Sequence, residues 1–214
     1  MLDLPAATEL HKPLPKKTIY TKFRMNTAAK ERIDADISRI TIVNEVTPDK
    51  VHIAAGEQVK SFFVVLLALK RKNFDEKVIS LISKLIPQKM LLVLECGNEE
   101  KLAIYHTKLM QTSWKPKGSF SLPIKGLSLD KVWDNVIVQV GEVQIESGNT
   151  LDEQIAIDER RKKIEKDIRR LEILARKEKQ PKRKFELVQE MRRSKETVEE
   201  LYKNYPVIFS DIIE

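Results

Sequence analysis

The chain has 214 residues, of which 42% are hydrophobic and 33% charged, and its net charge is +7. The hydrophobic share is sufficient for a packed core and argues against wholesale disorder, while the positive charge favours acidic partners, with nucleic acid first. A single cysteine excludes an internal disulfide, and neither a signal peptide nor a membrane-length apolar run is evident, so we expect a cytoplasmic protein without a membrane partner.

The first part of the chain predicts an arm followed by a helix and three strands. Residues 1–26 predict an extended arm because three prolines interrupt them. NTAAKERIDADI then predicts a short helix, and SRITIVNEV predicts a half-buried strand. After a TPD turn, KVHIA predicts a second short strand. The apolar run in VKSFFVVLLALK is typical of a central strand covered on both faces, with a buried helix as the alternative.

The next part predicts helices on either side of a β-hairpin. FDEKVISLISKLIP places its apolar residues on one helical stripe that stops at Pro87. KMLLVLEC and KLAIYHTKL predict two strands joined by a GNEE turn, and SFSL predicts a short strand in a loop-rich connection. SLDKVWDNVIVQV predicts a helix that begins after Ser128. Residues 27–145 therefore predict an α+β domain, an α/β sandwich with a mixed β-sheet.

Residues 146–214 predict a different architecture, an antiparallel coiled-coil helical hairpin. After a joint near 141–149, apolar residues recur at the three- and four-residue spacing of a helix seam on both sides of Pro181. The proline should end the first helix near Lys179. The predicted seam consists of Ile157, Ile164, Ile168, Leu171 and Ala175 on the first helix, and of Leu187, Met191, Ser194, Val198, Leu201 and Tyr205 on the second.

Positive charge collects at the predicted turn of this hairpin, near residues 176–184. Glu178 is the only acidic residue in that stretch, and six basic side chains surround it. One interpretation is a solvated loop that keeps the hairpin soluble. Another is a site that contacts nucleic-acid phosphates or an acidic protein partner, and a third is self-association through the seam. The candidate binding residues are Arg176, Lys177, Lys179, Lys182, Arg183 and Lys184.

The sequence contains no complete catalytic or metal-binding signature, but one arrangement suggests a restriction-endonuclease-like core. Enzymes with that core hold Mg²⁺ with two carboxylates, one near the second core strand and one in an acid-x-Lys motif on the third. Asp49 and Lys70 occupy comparable positions in the predicted strands, but Ala68 stands where the second carboxylate is required. Asp34, Asp36, Glu57 and Glu95 are alternative sources of that carboxylate. Mg²⁺ is expected only if this nuclease hypothesis holds, and otherwise no cofactor is expected.

Five segments carry a resemblance to a known family. PKKTIY, ERIDADISRITIVNEVTPDKVHIAAGEQV, LIPQKMLLVLE, IKGLSLDKVWDNVIVQV and DERRKKIEKDIRRLEILARKEKQPKRKFELVQEMRRSK resemble, in this order, the bacterial domain of unknown function 4391. The resemblance implies no activity and assigns no site residue. It implies a context, because such proteins are commonly encoded beside SNF2-like helicases and the methyltransferase and nuclease subunits of Type III-like restriction–modification or phage-defence loci.

The leading functional hypothesis is therefore a non-enzymatic accessory protein of a bacterial DNA-modification or defence system. Its partners would be DNA, or the helicase or methyltransferase subunits of such a locus, contacted through the basic turn. The alternatives are an active or degenerate metal-dependent nuclease that uses Asp49 and Lys70, and a protein–protein adaptor whose basic turn is incidental. The sequence predicts no oligomeric state.

Overall fold

A mixed β-sheet with helices on both faces forms the first part of the computed structural model, which describes residues 2–204. The described residues divide into two compact units, with the boundary between Glu142 and Val143. The α+β fold predicted from the sequence is confirmed. The sheet runs β1 (Glu9–Pro13), β2 (Ile37–Val46), β3 (Phe62–Leu69), β4 (Lys89–Cys96), β5 (Glu99–Tyr105) and β6 (Leu109–Gln111), and the short β7 (Lys115–Pro116) also pairs with β5.

The direction of the strands follows from their connections. β3 and β4 are parallel and are joined through a helix, as a parallel pair requires, whereas the other neighbouring strands are antiparallel. β3 is the predicted central strand, and the two-residue turn at Gly97 makes β4 and β5 the predicted hairpin. The helices of this unit are α1 (Lys16–Lys22), α2 (Thr27–Asp36), α3 (Pro48–Val51), α4 (Glu76–Leu85) and α5 (Leu129–Gly141).

The two faces of the sheet are covered by different helices. On one face, α1, α2 and α4 bury apolar side chains such as Ile19, Ile33 and Ile79 against Val65 and Leu92 of the central strands. The other face receives α5, whose Trp133 ring packs against Phe62 with the ring centroids 5.1 Å apart. The predicted stripes of α4 and α5 are confirmed as the buried faces of these helices. Burial of these stripes is the main stabilising term of the first unit.

The structure differs from the sequence prediction at three places in the first unit. Residues 1–26, predicted as an extended arm, contain β1, which pairs with β2, and α1. The predicted strand KVHIA is wrong, because Pro48 begins the short helix α3 and His52 ends it in the left-handed conformation, with φ of 54°. SFSL forms no strand. Two strands rather than three therefore separate α2 from α4. The nuclease-like hypothesis assumed three strands between these helices, so the observed order of elements does not support it.

The second unit contains two long helices, α6 (Leu151–Lys177) and α7 (Pro181–Asn204), which pack against each other. α6 begins at a capping box in which Thr150 and Glu153 exchange side-chain and backbone hydrogen bonds. The predicted seam residues between Ile157 and Leu201 are half-buried or buried, and the positions between them are mostly exposed. The helical hairpin is therefore confirmed for the described residues. The predicted seam residue Tyr205 lies outside them. The first helix ends at Lys177, two residues before the predicted end.

A buried ion pair ties the segment before α6 to both helices of the hairpin. The Arg161 guanidinium donates to the Glu146 carboxylate at 2.7 Å, and these side chains are only 6% and 4% exposed. It also donates to the backbone carbonyl of Leu201 in α7 at 2.9 Å, and it stacks 4.3 Å from the centroid of the Tyr202 ring. Gln154, also buried, accepts from the N–H of Glu146. The predicted joint is therefore fixed to the hairpin by buried polar contacts.

Candidate functional site

A three-residue turn, 178–180, joins the two helices of the hairpin. The Glu178 carboxylate accepts hydrogen bonds from the backbone N–H groups of Lys179 and Gln180, at 2.8 and 2.9 Å. These bonds, chiefly the one from Gln180, hold the pKa of Glu178 below its ordinary value, so this carboxylate is ionised at neutral pH. Pro181 begins α7 at a position where a backbone donor is not needed. The turn is therefore short and internally hydrogen-bonded.

The six predicted binding residues lie in this turn and in the helical turns that flank it, and all six are exposed. Two of them contact carboxylates: Arg176 pairs with Glu172 at 2.8 Å, and Arg183 lies 3.7 Å from Glu178. Within the part of the chain that the structure describes, no ion pair involves the four lysines, Lys177, Lys179, Lys182 and Lys184. Residues 176–184 hold six basic side chains and one acidic one, and their net charge is +5.

Exposed apolar side chains accompany these cations, a feature that we did not predict. Ile173 and Leu174 lie in the last turns of α6, and Phe185 and Val188 lie in the first turns of α7. Phe185 is 64% exposed and lies three residues from both Lys182 and Val188, which places the three side chains on one face of α7. The spacing of the seam residues could have predicted the exposure of Phe185, because this spacing leaves Phe185 outside the contact between the helices. We call the six cations and these four apolar residues the hairpin tip.

The structure separates Asp49 from Lys70. β2 and β3 are antiparallel, with Val46 opposite Phe62 at one end and Ile37 opposite Leu69 at the other. Asp49 follows Val46, whereas Lys70 follows Leu69, so the two residues lie beyond opposite ends of an eight-residue strand. The first and the last Cα atoms of such a strand are about 23 Å apart at the usual rise of ~3.3 Å per residue. The two side chains therefore do not form the predicted pair around one Mg²⁺.

Three of the four alternative carboxylates lie at the Lys70 end of the sheet. Lys70 donates from its backbone N–H to the carbonyl of Asp36 at 2.8 Å and from its ammonium to the carbonyl of Asp34 at 2.6 Å. Glu95 is the β4 neighbour of Ala68, while Glu57 lies before β3, towards its opposite end.

Each carboxylate at the Lys70 end already has a partner. Asp34 pairs with Lys16 and accepts a hydrogen bond from the Tyr20 hydroxyl. Burial, together with the nearby Asp34 carboxylate, raises the pKa of Tyr20. Glu95 pairs with Lys117 at 2.9 Å. Asp36 is 2% exposed and accepts from Arg71 at 2.7 Å and from the Asp75 N–H at 2.9 Å. These contacts form a network that stabilises the Lys70 end of the sheet.

Asp36 should make the stability of the first unit depend on pH. Burial raises the pKa of Asp36, but the Asp75 N–H and Arg71 outweigh this effect and lower it below its ordinary value. Its stabilisation is therefore present above the unfolded-state pKa of about 3.9 and is lost as pH falls through the folded-state value. Asp36→Asn should lower the free energy of unfolding by about 1–3 kcal/mol at neutral pH.

Urea unfolding of both proteins between about pH 7 and pH 3 would measure this effect. The difference between them should shrink in acid, because protonated Asp36 also loses its charge. Asp34→Asn is the matched control and should change stability less, since that side chain is half-exposed. A difference that is absent at neutral pH, or that grows in acid, would contradict the assignment.

Comparison with known proteins identifies a family. The model of the family described as Domain of unknown function (DUF4391) matches residues 2–198. The chain belongs to this family. The match spans the first unit, α6 and most of α7, so the hairpin is part of what defines DUF4391 in this chain. No curated protein and no solved structure gave a match.

Two further structural findings concern the described residues of this DUF4391 protein. Between residues 2 and 204, every helix lacks either the length or the apolar character that a membrane-spanning helix requires. Over the same residues, no group of three or more histidine, cysteine, aspartate or glutamate side chains is arranged to hold a metal ion.

Proposed function

We propose that this DUF4391 protein is a non-enzymatic accessory protein that binds nucleic acid through the hairpin tip. The single observation that carries the proposal is the concentration of six exposed cations in nine residues, at a short turn between two packed helices. Four of these cations are lysines that no described carboxylate neutralises. Clustered cations of this kind match the electrostatic footprint of a protein that binds the phosphate backbone of nucleic acid.

The geometry of the hairpin supports this proposal. A 27-residue helix is about 40 Å long at ~1.5 Å per residue, and α7 packs against it over most of that length. The packed seam fixes the backbone on both sides of the turn, so the cations gather at one end of a rigid element. Less ordering entropy is lost on binding than for the same charges on a flexible segment. We also propose that this accessory protein acts in a DNA-modification or defence system. This part of the proposal is based on the genomic context that the family resemblance implies.

The salt dependence of binding tests this function. A fluorescein-labelled DNA of about 20 base pairs, titrated with the protein, should show an affinity that falls steeply as salt rises from about 50 to 200 mM. If four to six cations contact phosphates, the slope of log K against log salt should be about −3.6 to −5.4, so a fourfold rise in salt should lower K by roughly 150- to 1,800-fold. Fluorescence anisotropy measures it, with the single strand of the same length for comparison. Absence of binding at 50 mM salt, or a slope near zero, would contradict the proposal.

A protein partner is the second candidate, and the apolar residues of the hairpin tip favour it. Ile173, Leu174, Phe185 and Val188 are of the type that anchors a protein interface, and a partner with an acidic rim would match the adjacent lysines. A helicase or methyltransferase subunit of a defence locus would fit this description. Its capture on the immobilised protein should survive nuclease digestion and be lost in Phe185→Ser. Loss of capture after nuclease treatment would instead point to shared binding of nucleic acid.

A further inference from the structure

The first unit contains an apolar cleft of about 360 Å³ that the proposed function does not use. It opens between α1, the residues that follow α4, and the face of the sheet that these helices cover. Buried Ile19, Val65 and Met90 form its floor, and half-buried Phe23, Ile42 and Phe63 contribute to its walls. Ile42 and Phe63 belong to strands inside the sheet, where apolar side chains are normally covered. The cleft is therefore a gap in the helical layer over the core.

The polar residues that line the cleft favour a ligand with negative charge. Eight of its twelve lining residues are apolar, and the other four are Lys12, Thr18, Lys22 and Gln88, so none is acidic. Both lysines are exposed, and the Lys22 ammonium lies 5.7 Å from the centroid of the Phe23 ring, beside the apolar wall. A group with negative charge at the mouth would meet two cations and no carboxylate.

A second cavity beside the cleft extends the same charge pattern. It shares Ile86, Gln88 and Met90 with the cleft, and its own lining includes Lys84 and Lys89. The Lys84 ammonium lies 5.0 Å from the centroid of the Tyr105 ring. The mouth of the cleft and its surroundings are therefore cationic, while the interior is apolar.

We propose that this cleft binds a small amphipathic carboxylate, with an apolar chain against Phe23, Phe63 and Ile42 and the carboxylate beside Lys12 and Lys22. The volume lies within the usual range for small-molecule sites and corresponds to about a dozen water-sized groups, at ~30 Å³ each. A saturated chain of about eight to ten carbons with its carboxylate is of this size. The site lies on the sheet and is independent of the hairpin tip, so either proposal can fail without the other.

Isothermal titration calorimetry with decanoate tests the proposal on the full chain. Decanoate should bind saturably, and at least about tenfold more tightly than decylamine, which has the same chain and the opposite charge. Lys12→Glu combined with Lys22→Glu should weaken decanoate binding by at least about tenfold and leave the affinity for decan-1-ol within about twofold. These substitutions are on the surface, so the variant should remain folded.

Ile42→Trp, which fills the cleft, should abolish decanoate binding. The matched control is Leu127→Trp, because Leu127 is 93% exposed and does not line the cleft, and it should bind decanoate like the unmodified protein. If Ile42→Trp does not fold, the double lysine variant still decides the question. Lack of saturable binding up to about 1 mM decanoate, equal affinity for decylamine, or unchanged decanoate affinity in the lysine variant would overturn the proposal.

Discussion

Replacing Lys182, Arg183 and Lys184 together with glutamate should lower the affinity for DNA by roughly 500-fold at about 0.1 M salt. Each phosphate contact contributes about 0.9 to the slope of log K against log salt. Since 0.1 M salt lies one power of ten below the 1 M reference, three lost contacts lower K by about 2.7 powers of ten. The slope itself should become less steep by nearly three. The helix should tolerate the change, because all three positions are exposed in the first turn of α7, where acidic side chains interact favourably with the helix dipole.

The control for this experiment changes the net charge equally at another place on the hairpin. Lys162, Lys163 and Lys166 are exposed on α6, far along the helix from the turn, and their replacement with glutamate should lower affinity much less. Anisotropy titrations of the three proteins at four salt concentrations would separate a local contact from a general charge effect. Equal losses in the two triple variants would mean that net charge, rather than the hairpin tip, determines binding.

The hairpin was predictable because its determinants are local in the sequence. Apolar residues at three- and four-residue spacing define one stripe on each helix, and Pro181 interrupts the pattern where the chain reverses. The apolar run of β3 and the stripes of α4 and α5 were predictable for the same reason. Each of these elements buries a face that its own sequence specifies.

The errors fall where distant contacts decide the local structure. β1 is short, exposed and rich in polar residues, and it exists because β2 offers it a partner at the sheet edge. KVHIA alternates like a strand, but Pro48 fixes the helical backbone angle at the start of α3, and the Asp130 carboxylate holds the following loop through the N–H groups of Glu57 and Val59. Neither the edge pairing nor this long-range contact is visible in the local pattern.

Some features of the candidate site were likewise predictable from the sequence, and others were not. The position of the six cations beside a turn follows from Pro181, although their role remains a prediction. To predict that Phe185 is exposed, the register of the seam has to be known. To predict that the Glu178 carboxylate accepts hydrogen bonds from the turn, the backbone conformation of the turn has to be known. The hypothesis that pairs Asp49 with Lys70 assumes a strand at KVHIA, and the structure contains no such strand, because α3 ends at Val51 and a turn follows it. A spacing in sequence therefore predicts a shared site only when the intervening elements are correct.

Arg161→Met should lower the free energy of unfolding of the hairpin unit by about 3–5 kcal/mol. The substitution removes one partner of a buried ion pair and leaves the Glu146 carboxylate inside the protein without its counter-charge. It also removes the donor to the Leu201 carbonyl and the cation that stacks on Tyr202, two contacts that connect α6 to α7. Urea unfolding followed by far-UV circular dichroism measures this loss, because α6 and α7 contain more than half of the α-helical residues that the structure describes.

Arg176→Met provides the matched control on the same helix. Arg176 is 77% exposed and pairs with Glu172 within one turn, so its loss should change stability by less than about 0.5 kcal/mol. The double variant with Glu146→Leu and Arg161→Met should recover much of the stability lost in Arg161→Met, because no charge is then left buried without a partner. If Arg161→Met were as stable as Arg176→Met, the buried pair would not be what holds the segment before α6 to the hairpin. The ordered base of the hairpin would then depend on the apolar seam alone.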